Sequence, residues 1–188
     1  MKKIVLWLLL CLLLAPFLIL ADARHDEDIA VEVAVDGENV SVDVTMPVAA
    51  DRELVWAVLT DFSHMANFIS NLRESRVISS QGDVLVISQR GTAKYGPLSF
   101  PFDTTREIRL APWDSIQSRL LSGNMRKMQG LTRLFAGETA TRVVYHTDST
   151  PGVWIPPLIG KTFIAHETRE QFQQMRDEIM RRKQRLTK

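Results

Sequence analysis

The sequence has almost no cysteine and almost no net charge. Only one of its 188 residues is a cysteine, Cys11, and it lies inside an apolar run near the N-terminus. An internal disulfide needs two cysteines and a thiolate zinc site needs several, so the chain can form neither. The 23 basic and 22 acidic residues give a formal net charge of +1. This balance indicates neither nucleic acid nor an acidic membrane surface as a partner.

Motifs for metal binding and for nucleophilic catalysis are also missing. No two histidines have the H-x-x-x-H spacing of a zinc site, and there is no G-x-S-x-G turn. Gly160-Lys161-Thr162 matches the end of a phosphate-binding loop, but Ile155 stands where that loop needs its first glycine. We therefore predict no catalytic residue, no metal ion and no cofactor from motifs alone.

The N-terminus has the pattern of a secretory signal peptide. Two lysines, Lys2 and Lys3, precede an apolar run over residues 4–20, and Ala21-Asp22-Ala23 completes an A-x-A end. We expect cleavage after Ala23, which leaves residues 24–188 as one exported domain in the bacterial periplasm. Retention as an uncleaved inner-membrane anchor is the alternative, although the run is slightly shorter than the roughly 20 residues of a spanning helix.

The next segments predict a β-hairpin followed by two short helices. Alternating valines over residues 29–46 are interrupted by turn residues at 36–39, which indicates two paired strands. Apolar residues at helical spacing follow over residues 54–62, with Asp51 as a helix N-cap. A second short helix carries Met65, Phe68 and Ile69.

Six further strands and a long helix complete the predicted fold. Turn residues at close spacing separate the strands and favour an antiparallel meander; the strands are expected at 74–79, 83–94, 98–110, 115–121, 125–135 and 141–147. An amphipathic helix over residues 158–185 is expected to cover one face of this sheet. We expect Phe163 to point away from its apolar face. The basic C-terminal end of this helix, residues 181–185, could contact anionic lipid head groups or could simply be solvated.

The segment 44–78 resembles the opening of the START-like superfamily of polyketide cyclases/dehydrases and lipid-transport proteins. The W-x-x-L-x-D-F core of that superfamily stands here as Trp56, Leu59, Asp61 and Phe62, which look like core and cap positions. The resemblance covers the chain from about residue 40 onward. It implies an α+β helix-grip fold, in which a curved antiparallel sheet wraps around the C-terminal helix and leaves a cavity between them.

Residues 125–157 resemble the coenzyme-Q-binding and cyclase-like branch of the same superfamily. The matching positions are Gly130, Thr141-Arg142, Tyr145 and Trp154-Ile155-Pro156-Pro157. Members bind lipids, quinones, polyketides and other hydrophobic molecules, and only some of them are catalysts. The resemblance therefore implies a hydrophobic small molecule as partner without saying whether the protein is an enzyme.

A cavity for such a ligand would be lined by apolar and aromatic side chains with one or two polar groups. Our candidate lining residues are Phe68, Tyr95, Phe100, Phe102, Met128, Tyr145, Trp154 and Phe172. Ordinary core packing is the alternative role for each of them.

Five polar residues are candidates for a catalytic role, and surface ion pairing is their alternative role. They are Arg133, Arg142, His146, His166 and Arg169. Strand alternation places Arg142 and His146 on the face opposite Tyr145.

An exported lipid- or quinone-binding protein is the favoured hypothesis, with a non-enzyme favoured over an enzyme. A cyclase/dehydratase-like enzyme and a protein-interaction module are the alternatives. The sequence does not indicate an oligomeric state.

Overall fold

The computed structural model describes residues 29–96, 98–152 and 157–188 of the chain. The described elements are β1 (Ala30–Asp36), β2 (Asn39–Val48), α1 (Arg52–Leu59), a 3-10 helix (Phe62–Asn67), β3 (Leu72–Gln81), β4 (Val84–Tyr95), β5 (Leu98–Ala111), β6 (Ser115–Gly123), β7 (Met125–Ala136), β8 (Thr141–Pro151) and α2 (Pro157–Leu186). Every strand and helix predicted over these residues is present, with ends that differ by a few residues. The signal peptide predicted at residues 1–23 lies outside the described residues.

The eight strands form one antiparallel sheet in the order β1-β2-β8-β7-β6-β5-β4-β3. Strands β3 to β8 are a meander, as predicted, because each pairs with its neighbour in sequence. The first hairpin joins the end of this meander, where Val44 of β2 pairs with Tyr145 of β8. The hairpin turn places Gly37 at a φ of 58°, a backbone conformation that glycine adopts without steric cost.

The core lies between the concave face of the sheet and the helices. Alternation in β2 directs Val40, Val42, Val44 and Met46 inward, and all four are buried, as their shared parity predicts. In α1 the buried side chains are Val55, Val58 and Leu59. The helix begins as predicted, since the Asp51 carboxylate accepts a hydrogen bond of 2.7 Å from the Leu54 backbone N–H.

Helix α2 is 30 residues long and covers the sheet, which confirms the helix-grip architecture. It buries Phe172 and Ile179, as the amphipathic pattern predicts. The prediction for Phe163 was wrong, because this side chain is only 4% exposed and its ring lies 4.9 Å from that of Phe100. The start of β5, which carries Phe100, packs against this part of α2. The buried surface of α2 is therefore wider there than the single apolar face that the sequence predicts. Helical spacing alone does not contain that information.

An ion-pair cluster fixes the C-terminal part of α2 to the segment after α1. The Arg182 guanidinium lies 2.7 Å from the Asp61 carboxylate and 2.6 Å from that of Glu178, which is almost fully buried. Asp61 makes no capping bond to the 3-10 helix, and its side chain instead binds Arg182 and His64. Asp61, the acidic position of the W-x-x-L-x-D-F core, therefore joins α2 to the segment between α1 and the 3-10 helix. Two of the basic residues at the helix end, Arg181 and Arg182, are paired with Glu178.

Candidate ligand cavity

A cavity of about 370 Å³ lies between the sheet and α2. Its volume is near the lower end of the ~300–1,000 Å³ that is typical of small-molecule sites. Residues from β2, α1, the 3-10 helix, β3 to β8 and α2 line it. The cavity is thus enclosed by the same elements that build the core, and its position follows from the fold.

Most of the lining is apolar. The apolar residues are Val42, Leu59, Phe62, Met65, Ile69, Leu72, Ala93, Phe102, Ile108, Ile116, Met125, Met128, Phe172 and Met175. Four of these are methionines, whose flexible thioether side chains adapt to irregular apolar surfaces. Such a wall attracts apolar ligand surface at roughly 25 cal/mol per Å² buried and places little restriction on ligand shape.

The polar part of the lining contains a single charged residue, Arg106, among the described residues. The neutral polar residues are Gln89, Thr104, Ser118, Thr132, Tyr145, Thr147, Thr168 and Gln171. Arg106 faces inward because β5 alternates strictly between its faces, and Phe102, Thr104 and Ile108 lie on the same side. A cation therefore lies in a mostly apolar cavity that has no carboxylate in its described wall.

A short chain of hydrogen bonds holds Arg106 in place. Its Nη2 donates to Gln89 Oε1 on β4. Gln89 Nε2 in turn donates to Ser75 Oγ at 2.9 Å, and the Ser75 hydroxyl donates to the Phe62 carbonyl. The Nε of Arg106 is buried and has no hydrogen-bond partner. The guanidinium is thus anchored on one side by a neutral amide and retains unused donors.

Burial shifts the pKa values of the two titratable groups in the cavity in opposite directions. Removal from water lowers the pKa of the Arg106 guanidinium, and the nearby Tyr145 hydroxyl opposes this effect. Burial also raises the pKa of Tyr145, although the Thr147 hydroxyl and the Arg106 charge act against it. Arginine remains protonated despite such a shift, because its pKa starts above 12. Tyr145 therefore stays a neutral hydrogen-bond donor beside a fixed positive charge.

The structure places the eight candidate lining residues in three groups. Phe102, Met128, Tyr145 and Phe172 line the cavity, and the Tyr145 and Phe172 rings are 5.4 Å apart. Phe68 and Phe100 are partly buried elsewhere in the structure: the Phe68 ring is 5.9 Å from the Arg182 guanidinium, and Phe100 packs on Phe163. Trp154 and the Tyr95 side chain lie outside the described part of the chain.

None of the five polar candidates is among the residues that line the cavity. Arg142 lies over the exposed Phe135 ring, and His146 donates to Asp43 at 2.7 Å on the outer face of the sheet. The prediction that both face away from Tyr145 is therefore confirmed. Arg133, His166 and Arg169 are exposed to solvent. No group of three or more histidine, aspartate or glutamate side chains that could hold a metal ion is found within the described ranges.

Sequence reasoning missed Arg106 and Gln89. A signal for Arg106 was present, because it shares strand parity with Phe100 and Phe102, which were both chosen as inward-facing candidates. An arginine on the apolar face of a strand is unusual and indicates a buried charge. Gln89 had no comparable signal, since a glutamine in a half-buried strand is common on either face.

One family model matches more than half of the chain. The model of the family described as "Polyketide cyclase / dehydrase and lipid transport" matches residues 48–176. A comparison with curated proteins found no match. None of the described helices is long and apolar enough to cross a membrane.

Solved structures with the same fold include proteins of different descriptions. A STAR-related lipid transfer protein from Xanthomonas axonopodis has a TM-score of 0.69 and 14% identity, with 82% of this chain and 94% of that chain covered. The Zhui aromatase/cyclase from Streptomyces sp. R1128 has a TM-score of 0.65 and 19% identity, with 77% and 95% covered. At such identities the likeness concerns the fold. From the family match and this fold together, the chain belongs to the polyketide cyclase/dehydrase and lipid transport family, with a START-like helix-grip fold.

Proposed function

We propose that the protein binds a hydrophobic small molecule, such as a lipid or a quinone, in the cavity between the sheet and α2. The observation that carries this proposal is the cavity of about 370 Å³ with its largely apolar, methionine-rich wall. An unfilled apolar space of this size costs stability, and a ligand that fills it recovers the lost contacts. The description of one structural neighbour as a lipid transfer protein is consistent with this function.

A cavity-filling substitution tests the proposal. Thr132 on β7 lines the cavity, so Thr132→Phe places a ring inside it. We expect the affinity for a fluorescent fatty-acid or quinone analogue to fall about tenfold or more, because the ring occupies ligand volume. Gln129→Phe is the matched control, since Gln129 is exposed and on the same strand. Equal affinities in Thr132→Phe and Gln129→Phe would contradict binding in this cavity.

The proposal includes export to the periplasm. It is supported by the lysines, apolar run and A-x-A end at residues 1–23. Fractionation of cells that produce the full chain, followed by mass determination of the exported protein, tests it. A soluble periplasmic protein that begins at Arg24 is expected. Recovery of the intact chain in the inner-membrane fraction would instead identify residues 1–23 as an anchor.

The second candidate function is a cyclase- or dehydratase-like reaction in the same cavity. The observation in its favour is that Arg106 and Tyr145 face one cavity and have pKa values shifted by burial. In such a dehydration Arg106 would hold the substrate carbonyl oxygen as it becomes an enolate, the Tyr145 hydroxyl would protonate the departing hydroxyl group, which leaves as water, and the α-proton lost from the substrate would restore the Tyr145 hydroxyl. One structural neighbour is described as an aromatase/cyclase.

Turnover of a poly-β-ketone thioester analogue separates this candidate from a binding function. Under the enzyme hypothesis the wild-type protein forms a cyclised, dehydrated product and Tyr145→Phe does not. Under the binding hypothesis neither protein forms product, while both still bind a lipid or quinone.

A further inference from the structure

We infer that the ligand is a single-chain amphiphile whose polar end is a carboxylate, and that Arg106 binds this carboxylate inside the cavity. The inference rests on the proposed function and specifies the chemical class of the ligand. It starts from Arg106, the only charged side chain in the described cavity wall, for which the described residues provide no carboxylate partner.

The Arg106 charge is uncompensated by the described residues. Its Nη2 donates to a neutral acceptor, Gln89 Oε1, and its Nε has no hydrogen-bond partner. Within the described part of the chain, Tyr145 is the only titratable group that acts on the pKa of Arg106, and Tyr145 is neutral until high pH. Transfer of an unpaired cation from water into protein is unfavourable unless a counter-charge accompanies it. Since arginine does not lose its proton, an anionic ligand is the remaining way to compensate the charge.

The surroundings of Arg106 favour a carboxylate over a phosphate. A carboxylate carries one negative charge and matches the planar fork of a guanidinium with two parallel hydrogen bonds. A phosphate monoester carries up to two charges near neutral pH and has three acceptor oxygens. One arginine would leave part of that charge unpaired in an apolar cavity. The Tyr145 hydroxyl, held neutral by burial, can add a third donor to one carboxylate oxygen.

The remaining cavity wall determines the chemistry and size of the rest of the ligand. Beyond Arg106 and its polar neighbours, the cavity is lined by methionine, phenylalanine and aliphatic side chains. An acyl chain gains affinity with each methylene that it buries in such surroundings. A volume of about 370 Å³ is at the small end for ligand cavities and suits one chain better than the two chains of a phospholipid.

The test compares two ligands that differ only in their polar end. Affinities for dodecanoate and dodecanol are measured by calorimetry at neutral pH, below the micelle concentration of dodecanoate and the solubility limit of dodecanol, with the protein freed of bound lipid. The wild-type protein is expected to bind dodecanoate about tenfold more tightly or better, the effect of about one charge-assisted hydrogen bond. Equal affinities would overturn the inference without reference to any variant.

Two substitutions locate the effect. Arg106→Met removes the charge and keeps a long apolar side chain, whereas Arg119→Met removes one charge from an exposed position on the neighbouring strand β6. We expect Arg106→Met to weaken dodecanoate binding about tenfold and to leave dodecanol binding within about twofold. Arg119→Met should change neither. If Arg106→Met weakens both ligands alike, or neither, the carboxylate is not bound by Arg106.

The outcomes separate this inference from the proposed function. A wild-type protein that binds dodecanol as tightly as dodecanoate contradicts the carboxylate assignment and leaves hydrophobic binding supported. A protein that takes up neither ligand, nor the lipid and quinone analogues of the previous section, contradicts both. Circular dichroism of each variant checks that it is folded. If Arg106→Met does not fold, Arg106→Gln serves as a second uncharged variant.

Discussion

At the scale of single residues, the cavity depends on a few polar side chains that are hydrogen-bonded to one another. Gln89 connects the buried Arg106 guanidinium to Ser75, and Ser75 is tied to the backbone at Phe62. The chain of bonds crosses from β5 through β4 to β3 and then to the 3-10 helix. Because buried donors are costly when unpaired, each member restricts the position of the next.

Replacement of Gln89 tests this network. Gln89→Leu removes the acceptor of the Arg106 guanidinium, so we expect the free energy of unfolding to fall by about 2–3 kcal/mol. The double variant Gln89→Leu/Arg106→Met should be more stable than Gln89→Leu alone, because the stranded charge is gone. Urea denaturation of the wild type, both single variants and the double variant gives the coupling energy. A double variant less stable than Gln89→Leu would contradict the network.

On the outer face of the sheet, His146 provides a pH-dependent contact. Its hydrogen bond to Asp43 raises the pKa of its imidazole above the ordinary 6.5, and Asp148 contributes while slight burial opposes the shift. A raised pKa means that the contact stabilises the fold fully below about pH 6.5 and ceases to do so as the pH rises through the folded-state pKa. Since the pair is largely exposed, the effect on stability is small.

An NMR titration of His146 checks this expectation. The pKa should lie above 6.5 in the wild type and fall towards it in Asp43→Asn. The stability advantage of the wild type over Asp43→Asn should shrink as the pH rises through that pKa. Asp36→Asn is the control, because Asp36 is exposed at the end of β1. An unchanged His146 pKa in Asp43→Asn would mean that the Asp43 contact is not formed in solution.

At the scale of secondary-structure elements, apolar packing holds α2 to the sheet, and the Asp61–Arg182–Glu178 cluster holds α2 to the segment after α1. Burial alone would raise the pKa of the Asp61 carboxyl, but hydrogen bonds from His64 and Arg182 outweigh it and lower the pKa below 3.8. Asp61 therefore stabilises the fold above about pH 3.8, and this contribution is lost as the pH falls through the lower, folded-state pKa.

Asp61→Asn is expected to weaken the attachment of α2. We expect the free energy of unfolding to fall by about 1–2 kcal/mol at neutral pH, because the ion pair between Arg182 and Asp61 is replaced by a weaker hydrogen bond to a neutral amide. The difference from the wild type should disappear in acid below the folded-state pKa of Asp61. Thermal unfolding at several pH values measures this, again with Asp36→Asn as the control. A loss that does not depend on pH would show that Asp61 acts through packing alone.

The sequence predicted those elements that depend on local patterns and missed contacts between elements distant in the chain. Strand alternation in β2, the Asp51 cap and the apolar spacing of α1 are local patterns, and each predicted its element correctly. The burial of Phe163 and the Arg182 pairing of Asp61 depend on elements distant in sequence, namely β5 and α2. No local pattern encodes these contacts. The cavity residues were predicted least well, because an apolar side chain that lines a space and one that fills the core share the same strand parity.

At the scale of the whole molecule, the cavity forms because a curved sheet does not fully close on α2. Four of the candidate residues from the sequence line this space, and Arg106 adds a cation inside it. An apolar wall with one cation favours a ligand with an apolar body and an acidic end. Both features come from the arrangement of ten elements, so they become visible only when the strands are placed side by side.

Native mass spectrometry with lipid extraction is the most direct test of the binding function. The protein is purified without detergent from the compartment in which its producing cell places it. We predict a stoichiometric co-purifying hydrophobic molecule, which the extraction identifies. A protein that is empty, and that also fails to take up fatty acids, other lipids and quinones offered to it, would contradict the central claim.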